Sequence, residues 1–376
     1  MAVALLMPQV TALYTLALTS NGLLLLVITV DARLHVPMYL LLRQLSFIDL
    51  LFTSVVTPKA VVDFLLRDNT ISFGGCALQM ALALMLGSAE DLLLAFMAYD
   101  SNGLLLLVIT IDSRLHVPMY FLLGQLSLMD LLFTSVVTPK AVIDFLLRDN
   151  TITFESCALQ MFLALTLGGA EDLLLAFMAY DRYIAICHPL NYMIFMRPSI
   201  CWLMVATSWI LASVMALGYT AYTMHYPFCK SWKIRHLLCE IPPLLKLACA
   251  DISMYELMVY VMGVTFLIPP LSAILASYTL VLFTVLHMPS NEGRKKALVT
   301  CSSHLTVVGM FYGAATFMYV LPNSFHSTRQ DNIISVFYTI VTPALNPLIY
   351  SLRNKEVTGA LVRVLGRYIL RANPTL

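Results

Sequence analysis

Charge is what this sequence has least of. Of its 376 residues, 11% are Asp, Glu, Lys or Arg, while 60% are apolar. A soluble domain carries roughly 25% charged residues, because its surface must face water. The 21 acidic and 22 basic side chains cannot cover a soluble surface of this size, so lipid must solvate most of the chain. With a net charge of +1 there is no basic tract to grip a phosphate backbone, which excludes nucleic acid as a partner.

Other absences exclude further classes. The first 30 residues hold no charged side chain. A cleavable signal peptide opens on a basic stretch, so the reading is an uncleaved first span. None of the eight cysteines forms a CxxC pair, which argues against a zinc site. There is no G-x-S-x-G, no H-E-x-x-H and no phosphate-cradling glycine loop, so neither an enzyme nor a cofactor is expected. No Asn-x-Ser/Thr sequon occurs, which is unusual for a protein of the cell surface.

Long apolar runs are what the chain does have. A helix needs about 20 mainly apolar residues to cross the hydrocarbon core. Such runs lie at about 9–30, 38–66, 76–99, 119–147, 157–180, 198–222, 254–286, 298–321 and 333–352. They are Leu-rich and continuous, without period-2 alternation, so helices rather than barrel strands are expected. Basic residues concentrate at Arg114, Arg182–Arg197, Arg294–Lys296 and the C-terminal tail, which places those segments in the cytoplasm. The loop at about 223–253 then lies outside. Its three cysteines, Cys229, Cys239 and Cys249, suit an oxidising face.

Residues 20–100 and 101–181 align without a gap, with 68 of 81 pairs identical. Architectural repeats of great age diverge far more, so the duplication is recent or reflects how the gene was assembled. A further apolar stretch, 103–111, is too short to cross alone. Counting it separately would turn every later basic segment outward, so 76–111 is expected to cross once, as one long or kinked helix. The result is nine crossings with the N-terminus outside and the tail inside. Its cost is Asp100, which falls mid-stretch; an aspartate at a helix centre costs about 2.5–3.5 kcal/mol.

Several polar groups sit inside the apolar runs. Asp130, Glu171, Asp172 and Asn346 are ionisable or amide side chains at membrane depth, where such groups usually face the bundle interior. Asn346-Pro347 should kink the last helix, since proline removes one backbone hydrogen bond, and Tyr350 lies one turn beyond. Asp181-Arg182-Tyr183 ends a helix on the cytoplasmic side; a lone arginine there would be read as snorkelling to the interface.

From about residue 101 to 357 the chain resembles the odorant receptor family of rhodopsin-like receptors. The resemblance rests on LHVPMY (115–120), LSLMD (126–130), MAYDRYIAICHPL (178–190), SY (277–278), KALVTCSSHLTVV (296–308), FYG (311–313) and PALNPLIYSLRN (343–354). Residues 34–39 and 45–49 repeat the first two strings, but the first copy ends in MAYDS and lacks the following Arg-Tyr. The resemblance implies a seven-helix bundle over 101–357, its first helix hybrid or borrowed from copy one. Residues 1–100 are then an extra copy of helices one to three, and 358–376 a cytoplasmic tail.

By that resemblance Asp181, Arg182, Tyr183, Tyr278, Asn346, Pro347 and Tyr350 form the G-protein coupling switch. Asp130, Glu171 and Asn346 form a polar core comparable to a central water or sodium site. Cys157 is expected to bond Cys239, and Cys229 to bond Cys249, leaving Cys76, the counterpart of Cys157, without a partner. A ligand pocket is expected among Met161, Ala164, Leu165, Gly168, Met262, Phe266, Tyr312, Thr316, Tyr319 and Thr339. No amine-pairing carboxylate stands near the outer end of the third receptor helix, so neutral volatile odorants are expected. The implied partner is the olfactory stimulatory G protein at the plasma membrane. Two other readings remain at this point. One is a non-signalling duplication product retained in the endoplasmic reticulum; the other is a transporter of inverted three-helix repeats.

Overall fold

The computed structural model describes residues 2–30, 37–66, 71–147, 151–229, 233–234, 236, 238–249, 253–288, 290–321, 327–353, 357 and 359. Nearly all of them are helical. Among the described residues the one strand-like feature is an antiparallel bridge between Phe228 and Ala248. Among the described residues, eight helices are long and apolar enough to cross a membrane, and Tyr14–Val30 is a shorter apolar one where the 9–30 span was expected. The tail at 358–376, residue 359 apart, lies outside the described residues.

The chain divides into two compact units, Met1–Asp100 and Ser101–Leu376. In the first, α1 (Ala2–Val30) packs on α2 (Pro37–Leu66). Helix α3 (Phe73–Ile111) is continuous, as the topology argument required of 76–111, and its final turns from Ser101 belong to the second unit. Asp100 within it is half-buried.

The second unit continues with α4 (Pro118–Leu147), α5 (Phe154–Cys187), the single turn α6 (Tyr192–Phe195) and α7 (Pro198–Met224). A short α8 (Ile241–Leu245) precedes α9 (Ser253–Leu286), α10 (Asn291–Tyr319) and α11 (Thr328–Val336). A π-helical segment, Phe337–Val341, then leads into α12 (Thr342–Arg353). Helix starts follow local chemistry. Thr153, Ser290 and Ser327 each accept a backbone N–H three residues on, at the starts of α5, α10 and α11. Such caps contribute about 1 kcal/mol each.

Helix α5 is the axis of this unit, packing against α4, α7, α9 and α10. Its Leu174, Leu175, Met178 and Ala179 are fully enclosed. Small residues set the approach to α7: a methyl group on Gly169 would stand 3.2 Å from the Ala212 Cβ. A second apolar cluster joins the N-terminal end of α5 to the loop around α8, through Cys157, Met161, Cys239, Ile241, Leu244, Leu245 and Tyr255. Two disulfides hold that loop, Cys157–Cys239 and Cys229–Cys249. Cys76 is free and exposed.

Candidate ligand cavity and the polar line beneath it

A cavity of about 210 Å³ opens between α5, α7, α9 and α10 under the loop that carries α8. Its walls are largely apolar. Six of the ten residues expected to form a pocket line it: Met161, Ala164, Leu165, Gly168, Phe266 and Tyr319. Thr316 instead lies on an exposed face of α10, and Thr339 and Tyr312 are buried outside the lining. Tyr319, three residues after Thr316 and about 60° away around the helix, lines the cavity, while Thr316 falls just beyond its edge. The side chain of Met262 lies outside the described residues.

The cavity is nevertheless lined by acids that do not lie at the outer end of α5. Glu171 and Asp172 reach the cavity from the middle of α5, and Glu240 reaches it from the loop. No spacing along α5 reveals Glu240, because the disulfide brings it there. Cys239 is bonded to Cys157, its N–H donates to Gln160 Oε1 at 3.1 Å, and Glu240 is the next residue. Gln160 in turn donates to the Val136 carbonyl at 3.3 Å.

Beneath the cavity the polar side chains form a line. Asn346 Nδ2 donates to both Asp130 oxygens, at 3.2 and 3.1 Å, with both residues nearly inaccessible. The Glu171 carboxyl is close enough for its charge to be felt at Asp130, and Tyr312 likewise interacts with Asp172. Asn102, on the last turns of α3, donates to the Pro343 carbonyl at 2.8 Å. That carbonyl is spare because Pro347, four residues on, has no N–H to give it. Pro343 likewise withholds a donor from the turn before it, where the π-helical segment sits and the Thr342 N–H reaches back to Phe337. Single π turns occur often at functional sites.

The line ends at Arg182. Its guanidinium lies 4.0 Å from Asp181, contacts the Met119 sulfur and is 7% exposed. Asp181 also accepts a 2.8 Å hydrogen bond from the Tyr192 hydroxyl. Tyr183 is directed elsewhere, to His188 at 3.0 Å. Tyr278 pairs with the buried His304 at 2.7 Å. Tyr350 is buried, its hydroxyl has no hydrogen-bond partner among the described residues, and it feels the charges of both Asp130 and Arg182. Asp130, Asn346, Tyr350 and Arg182 therefore form one continuous neighbourhood.

Three of these residues escaped the sequence reading: Asn102, Gln160 and Glu240. A signal for the first was present, since an amide inside an apolar run demands a partner and Asn21 repeats it. The loop position of Glu240 carried no such signal.

The family model described as "Olfactory receptor" matches residues 92–367. That described as "7 transmembrane receptor (rhodopsin family)" matches residues 20–100. Human Olfactory receptor 2AG2 is 80% identical over 284 residues, covering 76% of this chain and 90% of that relative. Human Olfactory receptor 2AG1 is 81% identical over the same length and shares. Human Olfactory receptor 2T1 is 54% identical over 273 residues, 73% of this chain and 74% of that protein. These matches do not favour the transporter or the non-signalling product, and the family is not enzymatic. The chain is a multi-pass membrane protein that belongs to the olfactory receptor family of rhodopsin-like seven-transmembrane receptors.

Proposed function

We propose that the cavity takes small, mostly neutral volatile odorants, and that their binding activates the stimulatory olfactory G protein at the cytoplasmic face of the plasma membrane. The observation that carries this reading is the continuous polar line from the cavity floor to Arg182. Glu171 touches both ends of the logic: it lines the cavity and its charge reaches Asp130, whose partner Asn346 sits beside the proline-interrupted α12. A helix broken by a π segment and Pro347 has two packings within reach, which suits a switch. In the closed form Asp181 and Met119 hold Arg182 inside. A ligand that favours the open packing releases the guanidinium toward the G protein by exactly its differential affinity for the two forms. Asp181, Tyr183, Tyr278 and Tyr350 act in that release, and Asp130, Glu171 and Asn346 form the polar core, with Asp130 the acceptor for a sodium ion.

Residues 1–100 are, in the same proposal, an extra copy of the first three receptor helices, which gives the whole chain nine crossings. Engineered glycosylation sites in the 67–75, 148–156 and 223–253 loops test the topology. All three should be modified; modification of the first without the third would sink the nine-crossing arrangement. A cAMP reporter in cells tests signalling. The full chain should respond to an odorant panel, and Arg182→Ala should lower the response at least tenfold with surface level unchanged. A response indifferent to Arg182 would remove the coupling assignment.

A further inference from the structure

The roof of the cavity holds a carboxyl with one oxygen unmatched among the described residues. Glu240 is 4% exposed, lines the cavity, and has its Oε2 enclosed with no hydrogen-bond partner among the described residues. Folding rarely leaves a buried polar atom unmatched, so the missing partner is a candidate for the ligand. The charged and titratable groups around it come from three elements. Asp331 stands in the first turn of α11, Tyr319 at the end of α10, and Lys246 just after α8. Lys246 is committed to Asp331 at 3.4 Å, and His236 of the loop lies beside that same pair. Asp172, Glu171 and Tyr219 complete the titratable lining of the cavity.

We propose that Glu240 is the hydrogen-bond donor that selects the ligand, so that the cavity prefers neutral ketones and aldehydes over hydrocarbons and amines of the same shape. This deepens the odorant reading above and rests on it. Burial, then the charge of Asp331, pushes the Glu240 carboxyl up to about 8, so it keeps its proton at neutral pH. A protonated carboxyl donates one O–H. The apolar wall at Met161, Leu165, Ala212 and Phe266 takes the hydrocarbon body, and the carbonyl oxygen accepts from Glu240. A site built to hydrogen-bond one group rejects an analogue lacking it, because its own polar atom is then left unpaired. An amine is disfavoured for a different reason: its ammonium needs Glu240 ionised, which neutral pH opposes.

Size sets the probes. An apolar cavity of roughly 150 Å³ accepts benzene, so a six-membered ring with one small polar substituent suits 210 Å³. Binding of cyclohexanone, acetophenone, cyclohexane, ethylbenzene and cyclohexylamine is measured on the full chain in lipid nanodiscs, independently of G protein. At about pH 7 the two ketones should bind at least tenfold more tightly than their hydrocarbons. Their affinity should fall about tenfold by about pH 9, as the protonated fraction of a group titrating near 8 drops from roughly 0.9 to 0.1. Glu240→Gln, whose amide donates at any pH, should bind ketones within threefold of the unaltered chain and abolish the pH dependence. Glu240→Leu should lose the ketone preference while still binding hydrocarbons. Should the leucine variant fail to fold, the glutamine variant and the pH profile decide alone. Tighter binding of cyclohexylamine at neutral pH, or a glutamine variant whose pH profile is unchanged, overturns the proposal. Equal affinity for ketones and hydrocarbons removes the Glu240 role and leaves the cavity reading standing; no binding of any probe removes both.

Discussion

Residues 20–100 and 101–181 are nearly one peptide written twice, and their local structure is also written twice. Gln79 donates to the Val55 carbonyl at 3.1 Å, and Gln160 to that of Val136 at 3.3 Å. Thr53 returns a hydrogen bond to the Asp49 carbonyl, as Thr134 does to that of Asp130. Ser72 and Thr153 cap the same helix start. The long-range contacts occur once. Met161 is 1% exposed against the loop cluster, whereas Met80 is 60% exposed. Cys157 and Asp130 hold Cys239 and Asn346, for which the chain contains no second copy. A peptide's own sequence decides its helices and its neighbouring turns; what it buries depends on whether partners from elsewhere are left for it.

The largest test of that difference removes one copy at a time. Deleting 20–100 or 101–181 yields single-copy chains that differ at the 13 unmatched positions. The first deletion should preserve fold and cAMP response. The second places Arg43 where Gly124 packs, a site whose Cβ would already meet Leu106 at 3.7 Å and Ile109 at 3.8 Å. An unpaired charge buried there costs several kcal/mol, so response should vanish and Arg43→Gly should restore it. Equal function of both deletions would mean that Gly124 does not stand against Leu106 and Ile109.

Next in size is the disulfide. Cys157→Ser should cost about 2–4 kcal/mol in thermal unfolding, while Cys76→Ser should stay within about 0.5 kcal/mol. A comparable loss from Cys76→Ser would show the two cysteines sharing Cys239. Smaller again is the polar centre. Asp130→Ala strands the Asn346 amide without its acceptor, a loss of about 1–3 kcal/mol, against almost none for Asp49→Ala. The two should be compared by unfolding of the full chain in nanodiscs, and equal losses would break the asymmetry.

The same distinction between local and distant explains what could be read from the residues alone. Apolar runs and the polar groups at membrane depth are local facts, so the helices stood out; the grouping of Asp130 with Asn346 came from resemblance to the family. The disulfide partners came from resemblance to the family, since spacing alone leaves several pairings open. Thr316 was placed in the pocket because it falls in the right stretch of α10, but only packing fixes which way that helix is turned. Glu240 was invisible because a loop has no periodicity, and its place under the roof depends on a bond made 82 residues away. Asp172 had no place until the cavity floor gave it one.

The smallest effect should also be the most even. Ser72 Oγ accepts the Gly75 N–H at 3.1 Å, and Thr153 Oγ1 accepts that of Ser156 at 3.2 Å. Either residue changed to alanine should cost about 1 kcal/mol locally, a factor of about five in amide exchange at the first turn of its own helix. Baselines will differ, because copy one has Gly74 and Gly75 where copy two has Glu155 and Ser156. Glycine weakens a helix by about 1 kcal/mol relative to alanine, and Glu155 favours the N-terminus of α5 by roughly 0.3–1 kcal/mol. The first turn of α3 should therefore exchange faster than that of α5 before any substitution. The ratio produced by each alanine should nevertheless be alike, since neither cap depends on a distant partner. A strong effect at Thr153 with none at Ser72 would mean that even the helix start in copy one is set by its surroundings, and the division between local and distant structure drawn from the repeat would fail.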